Sequence, residues 1–158
     1  MTKTNKLAKI ISLFMVISML LACTAIFVSA GDNSDEPYSY SFSTNVKYTE
    51  GREKLDGTSC YMYYQSGSVS YTASAYGQLA QNSTSHVDCS GGFMYRFTSA
   101  HQARFMYNYV WETNKKTGNT PYISIKGSCT TSGNCYGVWS PDSVYQAGVL
   151  PAGDYIKG

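Results

Sequence analysis

The chain has 158 residues and a formal charge of +2, but Lys3, Lys6 and Lys9 belong to an N-terminal segment unlike the rest. Without them nine Lys and Arg stand against ten Asp and Glu, and with no basic helix or Arg-rich patch this excludes a nucleic-acid or anionic-membrane surface built on charge. Fifteen Tyr and fourteen Gly, with much Ser and Thr and little Leu, favour pleated, half-buried surfaces over helices, so the chain reads as all-β.

Residues 1–30 read as a secretory signal peptide. The three lysines precede an uncharged apolar run from Ile10 to Val28, and Val28-Ser29-Ala30 offers small residues before Gly31, which places cleavage after Ala30. Two other readings stay open. Leu20-Leu21-Ala22-Cys23 fits a lipobox that would leave the chain lipid-anchored through Cys23, and the apolar run is long enough to span a bilayer uncleaved. All three imply export; the first leaves a secreted protein with no stable membrane insertion.

About 128 residues then remain, enough for one core. Residues 31–37, with three acids and no apolar side chain, are expected to form a flexible acidic leader, and 38–158 a single β domain. Tyr38 to Ser43 alternates large apolar with small polar residues, the pattern of a strand with one buried face. Thr49 to Gly57, rich in charge, reads as an exposed connection. Ser59 to Gln65 and Val69 to Ala75 are expected to pair as a hairpin around Ser66-Gly67.

Gln78 to Gly92 reads as a long polar loop and Phe93 to Phe97 as a short strand. Between Ala100 and Trp111, Phe105, Tyr107, Tyr109 and Trp111 fit one face of a strand with Met106 and Val110 on the other, which predicts a central position; a helix is the alternative. Asn114 to Thr120 is a polar loop, and Tyr122 to Cys129 and Cys135 to Ser140 complete about seven short strands, expected as an antiparallel sandwich or open barrel.

Four cysteines lie beyond the signal: Cys60, Cys89, Cys129 and Cys135. An even number in an oxidising compartment points to two disulfides. With Thr130 to Asn134 as a hairpin loop, Cys129 faces Cys135, Gly127 faces Gly137 and Ile125 faces Trp139, and the pair of cysteines comes within disulfide range. Cys60 then joins Cys89. Chain-entropy reasoning assigns roughly 2.4 kcal/mol to the smaller ring and 3.6 kcal/mol to the larger. The same register puts Ile123, Ile125, Cys129, Cys135 and Trp139 on the core face. Neither zinc spacing nor Cys-x-x-Cys is present, so no cofactor or metal is expected.

His86-Val87-Asp88-Cys89-Ser90-Gly91-Gly92 is the most enzyme-like segment, and His86 and His101 are the only histidines. A hydrolase built on His86 to Ser90 needs one of these residues in a shared cleft; Glu112 and Asp142 are the acids nearest aromatic strands. The aromatics carry the stronger signal. Tyr gives a flat contact surface with a polar edge, and Tyr61, Tyr63, Tyr64, Trp111 and Trp139 are the candidate binding residues.

Gly137-Val138-Trp139-Ser140-Pro141-Asp142-Ser143, in a small exported chain rich in Tyr and Ser, resembles the short secreted proteins of Gram-positive bacteria that include the lactococcin-type β-sandwich bacteriocins and several uncharacterised families. The resemblance implies an antiparallel sandwich and an extracellular role in competition or at the cell surface, and it carries over no site residues. The resulting expectation is a secreted, non-enzymatic protein that binds a cell-wall or envelope component, or another protein. A secreted hydrolase and a structural surface or matrix component are the alternatives.

Overall fold

The computed structural model describes residues 31–43, 45–115, 121–144 and 155–157. The expected signal segment 1–30 with Cys23, and most of the expected 114–120 loop, lie outside the described residues. The described chain is all-β and antiparallel, in two sheets packed face to face. The smaller sheet is built from β1 (Glu36–Phe42), β4 (Cys60–Gly67), β8 (Gln102–Met106) and β10 (Gly133–Ser140), in the order β1-β10-β4-β8.

The larger sheet runs β11-β7-β5-β9-β2, from β2 (Val46–Tyr48), β5 (Tyr71–Gln78), β7 (Phe93–Phe97), β9 (Tyr122–Ser128) and β11 (Tyr155–Lys157). Two short strands attach to it, β3 (Arg52–Glu53) on β9 and β6 (Val87–Asp88) on β5. The single helix among the described residues is α1 (Val110–Lys115).

Alternation decides which side chains face inward. In β1, Tyr38, Tyr40 and Phe42 are buried while Ser39 and Ser41 are exposed, as period two requires. The smaller sheet adds Met62, Tyr64, Cys135 and Trp139; the larger sheet answers with Tyr71, Ala73, Ala75, Phe97, Ile123 and Ile125. Tyrosine can fill this core because each buried phenol finds a partner. Tyr40 donates to the Ile125 carbonyl at 2.7 Å, Tyr64 to that of Val69 at 3.0 Å, and Tyr95 accepts from the Tyr107 amide at 2.8 Å. At Gly127 a side chain would come within 2.6 Å of the Tyr40 ring, so glycine there lets the ring lie flat on β9.

Both expected hairpins are instead crossovers between the sheets. β4 lies in the smaller sheet and β5 in the larger, joined by Ser68 to Ser70, and β9 and β10 divide in the same way. Cys129 therefore does not face Cys135 in a ladder, nor Gly127 Gly137, nor Ile125 Trp139. β9 pairs with β5 and β2, while β10 pairs with β1 and β4. The core set of Ile123, Ile125, Cys129, Cys135 and Trp139 is nevertheless buried throughout. The two crossovers lie side by side: the Ser68 amide donates to the Asn134 carbonyl at 2.9 Å, and the Cys129 thiol to the Ser70 carbonyl at 3.1 Å.

The aromatic run 105–111 also departs from expectation. The strand ends at Met106, the chain turns through Tyr107 to Tyr109, and Val110 opens α1. β8 is an edge strand and not a central one. In the acidic segment, β1 already begins at Glu36, and Asp32 is tied to Arg52 at 2.7 Å.

Candidate functional site: an aromatic sheet face and a buried ionic cluster

The outer face of the smaller sheet gathers aromatic side chains by register. Residues opposed on neighbouring antiparallel strands share a face. Tyr61 opposes Phe105 and Tyr63 opposes Ala103 across β4 and β8, while Val138 of β10 lies beside Tyr63 and Ser140 beside Tyr61. The Tyr61 and Phe105 rings stand 5.6 Å apart, tilted by 52°, a spacing at which aromatic pairs attract. The Tyr63 hydroxyl meets His101 Nδ1 at 3.0 Å, which fixes that ring. Tyr136 on β10 is 46% exposed. Tyr61, Tyr63, Phe105 and Val138 are half-buried, their faces turned to solvent.

Next to this row is a cavity of about 110 Å³, walled by Tyr61 and Phe105 and edged by the polar side chains of Asn33, Asp35, Ser140 and Ser143. Burial, then the charge of Asp35 and the neighbouring Tyr63, raise the Tyr61 phenol above its ordinary range, so it presents a hydroxyl there. Flat apolar walls with a few polar groups converging at the rim are the usual make-up of a small binding pocket. A wider cavity of about 440 Å³ opens at the sandwich edge between Tyr38, Tyr48, Glu50 and Arg52. There the Arg52 guanidinium lies 5.4 Å from the centre of the Trp139 ring.

Of the five expected contact residues, Tyr61 and Tyr63 lie on this face. Tyr64 and Trp139 do not: they point inward from the same strands and are 1% and 2% exposed, because adjacent strand residues take opposite faces. Trp111 is half-buried on α1 against the Gly57 turn. Phe105, Asn33, Asp35 and Ser143 were not anticipated as contact residues. Period two could have flagged Phe105, but the two acidic-segment residues reach the site only through the docking of Asp32.

A second feature was invisible in the sequence. Lys54, from the stretch expected to be exposed, is fully buried, as is Asp142. Lys54 Nζ donates to Asp142 Oδ1 at 2.5 Å and to the Pro141 carbonyl at 2.8 Å, with Asp56 Oδ1 at 3.8 Å. The other oxygen of Asp142 accepts the backbone amides of Asp32 at 2.8 Å and Leu55 at 3.0 Å. Asp56 accepts the amide and hydroxyl of Thr58 at 2.8 and 2.5 Å. Burial would raise its carboxyl, but the Thr58 bonds, Asp142 and the Lys54 charge outweigh that and hold it below the ordinary range.

The two histidines lie on different sheets. His86 stacks on Tyr48 with ring centroids 3.7 Å apart, on the larger sheet, and its Nδ1 lies 3.2 Å from the Ser124 hydroxyl. Ser124 is fully buried, so that oxygen is closed to a substrate. Asp88 is occupied by the amide and hydroxyl of Ser90 at 2.8 and 2.6 Å, and His101 lies on the smaller sheet with Tyr63.

The four cysteines among the described residues are buried free thiols and not the expected disulfides. Burial pushes Cys60 and Cys135 up to about 12, the latter helped by its neighbour Cys129. Cys60 and Cys89 both border the 106–109 turn: the Cys60 thiol donates to the Met106 carbonyl at 3.5 Å, and the Cys89 carbonyl accepts the Tyr109 amide at 3.0 Å.

Residues 26–143 match the model of a family described as a protein of unknown function, DUF2712. The chain belongs to the DUF2712 family. The match ends one residue beyond Asp142, so within this DUF2712 chain it takes in the aromatic strands, both crossovers and the whole ionic cluster. No curated protein and no solved structure matches the chain.

Proposed function

We propose that this DUF2712 chain is an exported, non-enzymatic β-sandwich that binds a cell-wall or other envelope component through the outer face of its smaller sheet. The observation that carries the reading is the half-exposed row of Tyr61, Tyr63 and Phe105 beside a polar-edged cavity. Rings held by a sheet lose little conformational freedom on contact, and the cavity supplies hydrogen-bonding groups at their edge. The signal-like segment 1–30 supports delivery outside the cell, with acylation at Cys23 as the alternative anchor.

In that oxidising setting the thiols form two staples, Cys129 to Cys135 and Cys60 to Cys89. The adjacency of the two crossovers that carry Cys129 and Cys135, and the shared border of the other two on the 106–109 turn, support these pairings. Each would tie the smaller sheet to the larger.

The test is sedimentation of purified mature protein with envelope fractions and isolated cell walls. Retention in the pellet is expected, and growth inhibition of related strains would mark the binding as bacteriocin-like. Protein that stays in the supernatant with every fraction would overturn the reading.

A further inference from the structure

Lys54 and Asp142 form an ion pair with no access to water. Such a pair gains little over an apolar replacement, because the loss of hydration offsets the attraction. The surroundings instead supply each part that acyl transfer needs. The amine is held against the carboxyl group by the Pro141 carbonyl. Asp142 Oδ2 sits on two backbone amides, from Asp32 and Leu55, placed as donors to an oxyanion are in enzymes that stabilise a tetrahedral intermediate. Asp56, fixed by Thr58, reaches towards the amine. A side chain at Gly31 would lie 2.7 Å from Asp56 Oδ2 and 2.8 Å from Asp142 Cβ, so the bare backbone of Gly31 closes over the cluster.

We propose that Lys54 and Asp142 condense in the folded chain to an intramolecular isopeptide bond, with Asp56 relaying the protons. One ammonium proton of Lys54 passes through Asp56 to Asp142 Oδ1, and the freed amine attacks Cγ of the resulting carboxylic acid. Negative charge then collects on Oδ2, against the two amides. The bond from Cγ to Oδ1 breaks, and Oδ1 leaves as water with two of the three ammonium protons, delivered through Asp56. The third stays on the amide nitrogen, so charge and atoms balance without an oxidant or a co-reactant. Holding both groups in contact replaces an encounter in solution, an advantage measured in model systems at about 10⁵–10⁸ M, and the dry site disfavours hydrolysis.

The product would bond the end of β3, in the larger sheet, to the segment just past β10 in the smaller one. It is independent of what the aromatic face binds. Its chemistry suits a protein exposed to proteases and shear outside the cell.

Intact mass of the folded wild-type protein, taken after denaturation and reduction, tests it. A mass lower by one water is expected, together with a branched proteolytic peptide joining Lys54 to Asp142. Asp56→Asn keeps both reacting groups and should show the full mass with no branched peptide while retaining the β-sheet circular dichroism signature. Full mass in folded wild-type protein would overturn the proposal whatever the variants do, and an Asp56→Asn chain that still cross-links would overturn the role of Asp56.

Discussion

The phenolic oxygens of Tyr38 and Tyr71 lie 2.6 Å apart, one from each sheet, with both side chains buried. Each satisfies the other where no backbone group does so. Replacing one alone strands its partner, which costs about 1–3 kcal/mol. Replacing both leaves two apolar rings of nearly unchanged shape. Urea denaturation of Tyr38→Phe, Tyr71→Phe and the double variant should therefore show each single variant less stable than the double. Additive losses would contradict the pairing.

Alkali should unfold the protein through the same residues. Burial is the first cause raising Tyr38, Tyr40 and Tyr71 above their ordinary value of 10.0. A raised folded-state value means that the folded chain keeps a proton which the unfolded chain releases. That contribution to stability is fully present below about pH 10 and is lost as pH rises further. Phenolate absorbance from these buried rings should appear together with loss of β-sheet circular dichroism, and not before it. Complete titration of all tyrosines in a still folded protein would contradict this.

A side chain at Gly127 would lie 2.6 and 2.9 Å from two carbons of the Tyr40 ring. Gly127→Ala should destabilise by about 1–3 kcal/mol, the usual cost of overpacking, and Tyr40→Leu should relieve part of it. Thermal melts of the two single variants and the double check this, and no relief in the double would place the strain elsewhere.

The thiols should be inert while the protein stays folded. Cys60 and Cys135 are fully buried and pushed up to about 12 by burial, and a thiol without thiolate character is a poor nucleophile. Reduced protein should react with a thiol reagent only as fast as it unfolds, and oxidised protein should yield peptides linking Cys129 to Cys135 and Cys60 to Cys89. Fast labelling of all four in the folded state would contradict the burial, and other pairings would contradict the proposed staples.

The sequence makes faces legible and partners not. The alternation of Tyr38, Tyr40 and Phe42 marks their side of β1, and the same logic places Ile123, Ile125, Cys135 and Trp139 inward. Two consecutive strands satisfy one such pattern equally well as neighbours in a sheet or as opponents across the core. Ser66-Gly67 and the 130–134 segment therefore look like hairpin turns although both lead from one sheet to the other. Past Met106 the aromatic period continues while the chain turns into α1, because the Tyr107 amide donates to the Tyr95 hydroxyl and the Tyr109 hydroxyl to the Asp88 carbonyl, single bonds to the larger sheet in place of a strand ladder.

The candidate site divides in the same way. Tyr61 and Tyr63 carry their exposure in their parity, opposite to Met62 and Tyr64. Lys54 carries nothing of the kind: amid Glu50, Arg52, Glu53 and Asp56 it reads as a solvated charge, and its partner Asp142 stands 88 positions away. A buried charge pair is a property of tertiary closure that local composition does not announce.

The most direct test of the aromatic face is binding by Tyr61→Ser and Phe105→Ser, alone and together, against Tyr76→Ser on the larger sheet as control, with melting temperature measured in parallel. Envelope binding should fall at least tenfold in the double variant, remain at the wild-type level in the control, and fall without matching loss of stability. Undiminished binding by a folded Tyr61→Ser and Phe105→Ser double variant would contradict the assignment of this face.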